Sequence, residues 1–232
     1  MESSRGNAVA AGVFFVVAAV AAIAGLALYQ PALTDPAFVL GAGSDTRVLL
    51  GGFLEVVLAA SCIGTAVALH PVVKRHGESV ALGYVCGRLL EAAVIVVGIV
   101  ATLSLVTLRQ GGSPDDVAVA RALVALHDWT FLVGPGLVIG VNSLLLALLM
   151  HRSRLVPRWI AVLGLVGGPL VFASSTAVMF GLLDDTSPWR FLAAVPVTAW
   201  EMSLAVRLIV KGFTSPPPGR SPLPVMPVAA PA

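Results

Sequence analysis

Arg88 and Glu91 stand three positions apart inside GRLLEAAVIVVGIV (Gly87–Val100), an otherwise apolar run. Residues spaced by three share a helix face, so the two are placed to pair. Glu55, His127, Asp128, Asn142 and Glu201 also interrupt apolar stretches. These residue types hold and pass protons, bind cations, or tie helices together. Glu55, Glu91, Asp128 and Glu201 outnumber Arg88 and a protonatable His127. A shared interior built from them would hold neutral acids, bind a cation, or be hydrated. Carboxylates near a membrane midplane are parts that proton-coupled carriers use. The plain alternative is a structural pair, Arg88 with Glu91, that fixes helix rotation, with Glu201 joined to it.

The elements that must position these groups are long apolar helices. Of the 232 residues, 58% are hydrophobic and 11% charged, and the mean hydropathy is +0.97. Soluble domains average about 45–50% apolar and about 25% charged, so the composition is that of an integral membrane protein. A bilayer core of about 30 Å needs about 20 apolar residues per helix. Six stretches meet this: Ala8–Tyr29, Val48–His70, Ser79–Leu108, Ala122–Met150, Trp159–Leu183 and Trp189–Val210. The expectation is an all-α, polytopic membrane helix bundle over residues 1–213. A Pro-rich tail, 214–232, is expected to be disordered or extended. Arg5 before the first run resembles a signal peptide, but the run is long and lacks a clean cleavage site, so it reads as a retained helix.

Lys and Arg concentrate in the loops Val72–Ser79 and His151–Arg158 and at both termini. The other loops carry Asp35, Asp45, Asp115, Asp116, Asp184 and Asp185. The positive-inside rule then places the N- and C-termini in the cytoplasm. The net charge of +2, with no basic stripe, gives no reason to expect nucleic acid as a partner. The lipid bilayer is the expected partner, with a homo-oligomer or a further membrane partner left open. Cys62 and Cys86 lie in apolar runs and read as buried free thiols.

Helical stripes place Tyr84, Arg88, Glu91, Ile95, Gly98 and Thr102 on the inward face of the third helix. Asp128, Pro135 and Asn142 share a face of the fourth, and Thr198 and Glu201 one of the sixth. Gly136/Gly140 and Gly164/Gly168 each form a GxxxG, the spacing that lets membrane helices approach closely. Gly134-Pro135-Gly136 and Gly167-Gly168-Pro169 can break or kink their helices, or serve close packing with a kink. The sequence lacks a phosphate-binding GxxxxGK[ST], an HExxH and a GxSxG. No cofactor, metal site or catalytic residue is indicated, and the reading leans away from an enzyme.

The segments RLLEAAVIVVGIV, ALHDWTFLVGPGLVIGVNSLLLALLMHRSRLVPRWIAVLGLVGGPLVFAS and WEMSLAVRLIVKGF resemble a bacterial membrane family, domain-of-unknown-function 4386. The resemblance runs from the first helix to Phe213 and implies a multi-helix protein of the bacterial cytoplasmic membrane. It implies no activity. The functional expectation is an integral membrane protein with a buried polar cluster, whose small-molecule role, if it has one, is proton-linked transport. Glu91 and Glu201 would be its protonatable groups, and Arg88 their partner or an anion contact. The alternatives are a membrane-embedded enzyme using Glu55, His127 and Asp128, and a non-catalytic accessory subunit.

Overall fold

A computed structural model describes residues 2–35, 38–41, 43–111 and 116–214. The Pro-rich tail after Thr214 lies outside the described residues, as does Asp115. The helices are α1 (Glu2–Thr34), α2 (Asp45–Val73), α3 (Glu78–Gly111), α4 (Asp116–Phe131), α5 (Ile139–Ser153), α6 (Arg158–Met179) and α7 (Pro188–Val210). A π-helical segment, Leu132–Val138, joins α4 to α5 without a break. Among the described residues, six helical stretches are long and apolar enough to cross a membrane, α4 to α5 counting as one. The protein is an all-α, multi-pass membrane bundle.

Local chemistry sets the ends. Acidic residues, Asp45, Glu78 and Asp116, sit in the first turns of α2, α3 and α4, where the helix dipole favours negative charge. Pro188 opens α7, a position where its missing N–H costs nothing. Gly212 closes α7 at φ 69°, its N–H bonded to the Arg207 carbonyl at 3.1 Å. Arg5 then caps the same end, donating to the carbonyls of Leu208, Ile209 and Val210 at 3.3, 2.8 and 3.2 Å. This cation at a helix C-terminus fastens the start of α1 to the end of α7.

Neighbouring helices form a closed ring: α1 on α2, α2 on α3, α3 on α4 and α5, α5 on α6, α6 on α7, and α7 on α1. Inside a membrane, close packing rather than water exclusion holds such a ring. The two GxxxG motifs supply it between α5 and α6. A methyl on Gly140 would lie 2.8 Å from the Gly168 carbonyl oxygen, and one on Gly168 would lie 2.7 Å from the Gly140 carbonyl oxygen. Gly164 makes room for Trp200 of α7, whose ring atoms would be 2.7 Å from a methyl there.

The interior is layered. At the end carrying the basic loops, Leu69, Val73, Tyr84, Leu146, Met150, Ile160, Trp200, Leu204 and Leu208 form a fully buried plug. At the end carrying the acidic loops, Tyr29, Phe38, Val39, Val48, Leu105, Val106 and Ala120 form a second core. There Arg109 anchors the α1–α2 loop. It pairs with Asp45 at 2.8 Å, donates to the carbonyls of Gly41 and Gly43 at 3.0 and 2.9 Å, and lies over the Phe38 ring.

Two expectations need correction, and a third resolves to close packing. Gly134-Pro135-Gly136 does not break its helix; it widens it into the π segment. Gly167-Gly168-Pro169 leaves α6 continuous, because its glycines are used for close approach to α5 and α7. Cys86 is exposed on the lipid-facing side of α3, while Cys62 is buried and free. A cysteine two positions before Arg88 cannot share its inward face, since two helical steps turn about 200°.

Candidate intramembrane site

α3 delivers Arg88 and Glu91 to the centre of the bundle, 4% and 2% exposed. Arg88 Nη1 donates to both Glu91 oxygens, at 3.2 and 3.0 Å. Its Nη2 donates to Glu201 Oε1 of α7 at 3.1 Å, and its Nε to the Tyr84 hydroxyl at 3.3 Å. Nη1 also lies 3.9 Å from Cys62 Sγ of α2. The guanidinium sits over the rings of Phe15 and Tyr84. Its nitrogens are all engaged, which fits the expectation of a partner to Glu91 and Glu201 better than the alternative of an anion contact.

Asn142 of α5 completes this cluster, donating from Nδ2 to Glu91 Oε2 at 2.7 Å. Glu91 therefore has both oxygens occupied by donors from two elements. Glu201 differs: Arg88 engages its Oε1, and its side chain is 19% exposed. Two carboxylates on one arginine thus have different freedom, one locked and one open.

Farther toward the acidic end, Glu55 of α2 accepts a hydrogen bond from the Tyr29 hydroxyl of α1 at 2.8 Å. The seven positions from Glu55 to Cys62 correspond to about 10 Å along α2. The Tyr29 ring meets His127 edge-on, with centroids 5.3 Å apart. Nδ1 of His127 lies 3.5 Å from Asp128 Oδ1. His127 is buried, whereas the Asp128 side chain is 66% exposed.

The sequence put Asp128, not His127, on the face of Asn142. The π segment explains the reversal. On a regular helix, the fourteen steps from Asp128 to Asn142 leave an offset of only about 40°. A π turn takes in one extra residue. Asp128 then falls about 140° off that face, and His127 moves onto it. Thr198 is likewise exposed and bonds the Ala194 carbonyl of its own helix. The inward face of α7 is Val197, Trp200, Leu204, Ala205 and Leu208, with Glu201 at its edge.

A cavity of about 150 Å³ joins these clusters. Glu55, Cys62, Arg88, Glu91 and Glu201 line it, with Phe15 and Ala18 among its apolar walls. A much smaller void of about 10 Å³ lies beside it, lined by Glu55, His127 and Thr130. A third space, about 280 Å³, lies at the acidic end and is lined by Asp35, Arg121 and Asp128. Glu55 and His127 thus share the small void, while Asp128 touches His127 and lines the space at the acidic end.

Sequence reasoning missed Tyr29 and the part played by Cys62. A lone tyrosine near the end of an apolar helix was the available signal for the first. The second had no signal, because contact between Cys62 and Arg88 depends on the rotation of α2 against α3.

The chain matches the family described as Domain of unknown function (DUF4386) over residues 10–212, and it belongs to that family. No curated protein and no solved structure matches it.

Proposed function

We propose that this DUF4386 member is a proton-linked carrier of a small solute, set in the bacterial cytoplasmic membrane with both termini inside. The orientation rests on the Lys/Arg asymmetry of the loops. It is helped by the acidic end, where Arg109 and Arg190 are paired with Asp45 and Asp185. The bacterial setting rests on the family resemblance.

The observation that carries the reading is the cavity of about 150 Å³ that reaches Glu55, Glu91 and Glu201 in the middle of the bundle. An accessory subunit held together by static polar contacts would be expected to have a filled interior there. Apolar cavities of about this size hold a molecule as small as benzene, so the cargo is small. Carboxylates outnumber cations around it, which favours protons or a small cation over an anion. Glu201 and Glu55 are the exchanging acids in this reading. Glu91 and Asn142 hold Arg88 in place, a narrower role for Glu91 than its sequence position implied. The plug of Leu69, Tyr84, Met150 and Trp200 lies on the basic-end side of the cavity, and the carrier reading takes this conformation as one of an alternating pair.

Cys62 lines the cavity and tests the reading. In a Cys86→Ala background, in vesicles of known orientation, a small membrane-impermeant thiol reagent is applied from one side at a time. A carrier exposes the same cavity to each side in turn, so Cys62 is modified from both. Modification from one side only removes the carrier reading, and so does modification from neither side when a cysteine introduced by Ala18→Cys on the same cavity wall is also unlabelled from both.

A further inference from the structure

The spaces around His127 are arranged in series, and on that arrangement we infer that Asp128, His127 and Glu55 form a water-bridged proton relay from the acidic end to the central cavity. The inference deepens the carrier reading and rests on it for its purpose, though not for its test.

Asp128 lies on the wall of the 280 Å³ space at the acidic end, with its side chain exposed. His127 is next to it, Nδ1 3.5 Å from the Asp128 carboxylate. That contact leaves Nε2 as the ring nitrogen available to the void beyond. The void, about 10 Å³, is lined by His127, Thr130 and Glu55. It has the volume of about one water molecule, and its lining supplies the polar partners a buried water needs. Glu55 belongs both to this void and to the central cavity, and Leu58, Ile95, Phe131 and Pro135 are shared by the two as well. Glu55 is therefore where the narrow passage meets the wide one.

The ring of His127 is held for this task. Tyr29 meets it edge-on and Phe131 stacks on it, centroids 6.2 Å apart. Gly98 of α3 leaves room for it: a methyl there would lie 3.7 Å from His127 Cδ2 and 2.7 Å from Thr130 Oγ1. The titratable groups facing His127 are Tyr29 from α1, Glu55 from α2 and Asp128 from its own helix. From α3, Gly98 and Ile95 face the same void and carry no charge. The Tyr29 hydroxyl is already spent on Glu55, which leaves His127 and the water as the movable link.

One transfer balances as follows. Protonated His127 gives its Nε2 proton to the water, and the water gives a proton to the Glu55 carboxylate. The products are neutral imidazole, neutral Glu55 and the same water. Tautomer exchange then moves the remaining ring proton from Nδ1 to Nε2, and a proton arriving through Asp128 occupies the freed Nδ1 and resets the donor. No oxidant or cofactor is involved.

The test follows hydrogen–deuterium exchange of the Glu55 carboxyl by infrared spectroscopy, on the full chain in lipid nanodiscs transferred to D2O. The band is assigned by its loss in Glu55→Gln. In His127→Phe the ring remains and the relay atoms go, and exchange is expected to slow on the order of 100-fold, the lower end of what a positioned proton donor contributes. Asp128→Asn changes an exposed side chain, so the fold is expected to be retained and exchange to show a smaller slowing of the same sign. Exchange at the wild-type rate in His127→Phe overturns the relay, since Glu55 would then take protons through the cavity. If His127→Phe does not fold, unchanged exchange in Asp128→Asn overturns it. Absence of any Glu55 carboxyl band across pH also overturns it. No cargo or gradient enters this readout, so its failure is separate from failure of Cys62 labelling, which tests the carrier.

Discussion

Glu91→Gln and Glu201→Gln remove the same charge from the same arginine, yet the geometry assigns them different costs. Arg88 is 4% exposed and Glu91 2%, and Glu91 receives Arg88 at 3.0 Å and Asn142 at 2.7 Å. Removing one partner of a buried ion pair costs about 3–5 kcal/mol, because the other charge is left uncompensated. In Glu91→Gln, Glu201 still faces Arg88, and a pair about 4 Å apart retains about 4 kcal/mol of attraction at an effective dielectric of about 20. That moderates the loss without restoring the hydrogen bonds, so the expected cost is near 3 kcal/mol, the low end of the range. Glu201 is 19% exposed and is bonded by Arg88 through Oε1. Its removal leaves Arg88 neutralised by Glu91, at an expected cost of about 1.5–2 kcal/mol, the low end of the range for a charge-assisted hydrogen bond. Reversible unfolding in lipid–detergent bicelles with increasing denaturing detergent measures both. Arg88→Gln with Glu91→Gln should cost less than the two singles together, because Arg88 and Glu91 no longer leave each other unpaired and only Glu201 loses its partner. A larger cost for Glu201→Gln than for Glu91→Gln, or an additive double variant, would refute the locked and open assignment.

Other expectations follow from the packing. Gly164→Ala places its methyl 2.7 Å from both the Trp200 ring and Ala147 Cβ and should cost about 1–3 kcal/mol through overpacking; Trp200→Phe should recover part of that loss in the same unfolding assay. Arg109→Gln removes the ion pair to Asp45 and the bonds to Gly41 and Gly43. Amide exchange at Phe38–Leu40 should then accelerate while that of α6 does not change; equal acceleration in both would contradict a local role. Arg5→Gln removes the cap on the last carbonyls of α7 and should destabilise by about 1 kcal/mol, with faster amide exchange confined to the end of α7.

The bundle was legible in the sequence because a bilayer demands long apolar runs and leaves little choice of architecture. Arg88, Glu91, Asn142 and Glu201 were legible as a group, since charges in such runs face the interior. The errors have one physical origin, helix phase. Asp128 was exchanged for His127 because a π turn carries an extra residue, and the dipeptide steps around Pro135 do not announce whether a helix breaks or widens. Thr198 was placed inward on spacing from Glu201, but Glu201 itself sits at the edge of its stripe, so the spacing was measured from the wrong line. Cys86 shows the same dependence: an apolar neighbourhood does not separate a core face from a lipid face. The difference between Glu91 and Glu201 was not legible at all, since it arises from Asn142, more than fifty positions beyond Glu91 and brought in by the packing of α5 on α3.

The central claim is that the cavity holds an acid free to exchange its proton, Glu201, beside one that is not, Glu91. The direct measurement is the carboxyl infrared band of the protein in lipid nanodiscs, followed across pH for the wild type, Glu201→Gln and Glu91→Gln. The account predicts a titrating band that disappears in Glu201→Gln and persists in Glu91→Gln. A band that disappears in Glu91→Gln alone, or no change on replacing Glu201, would contradict it.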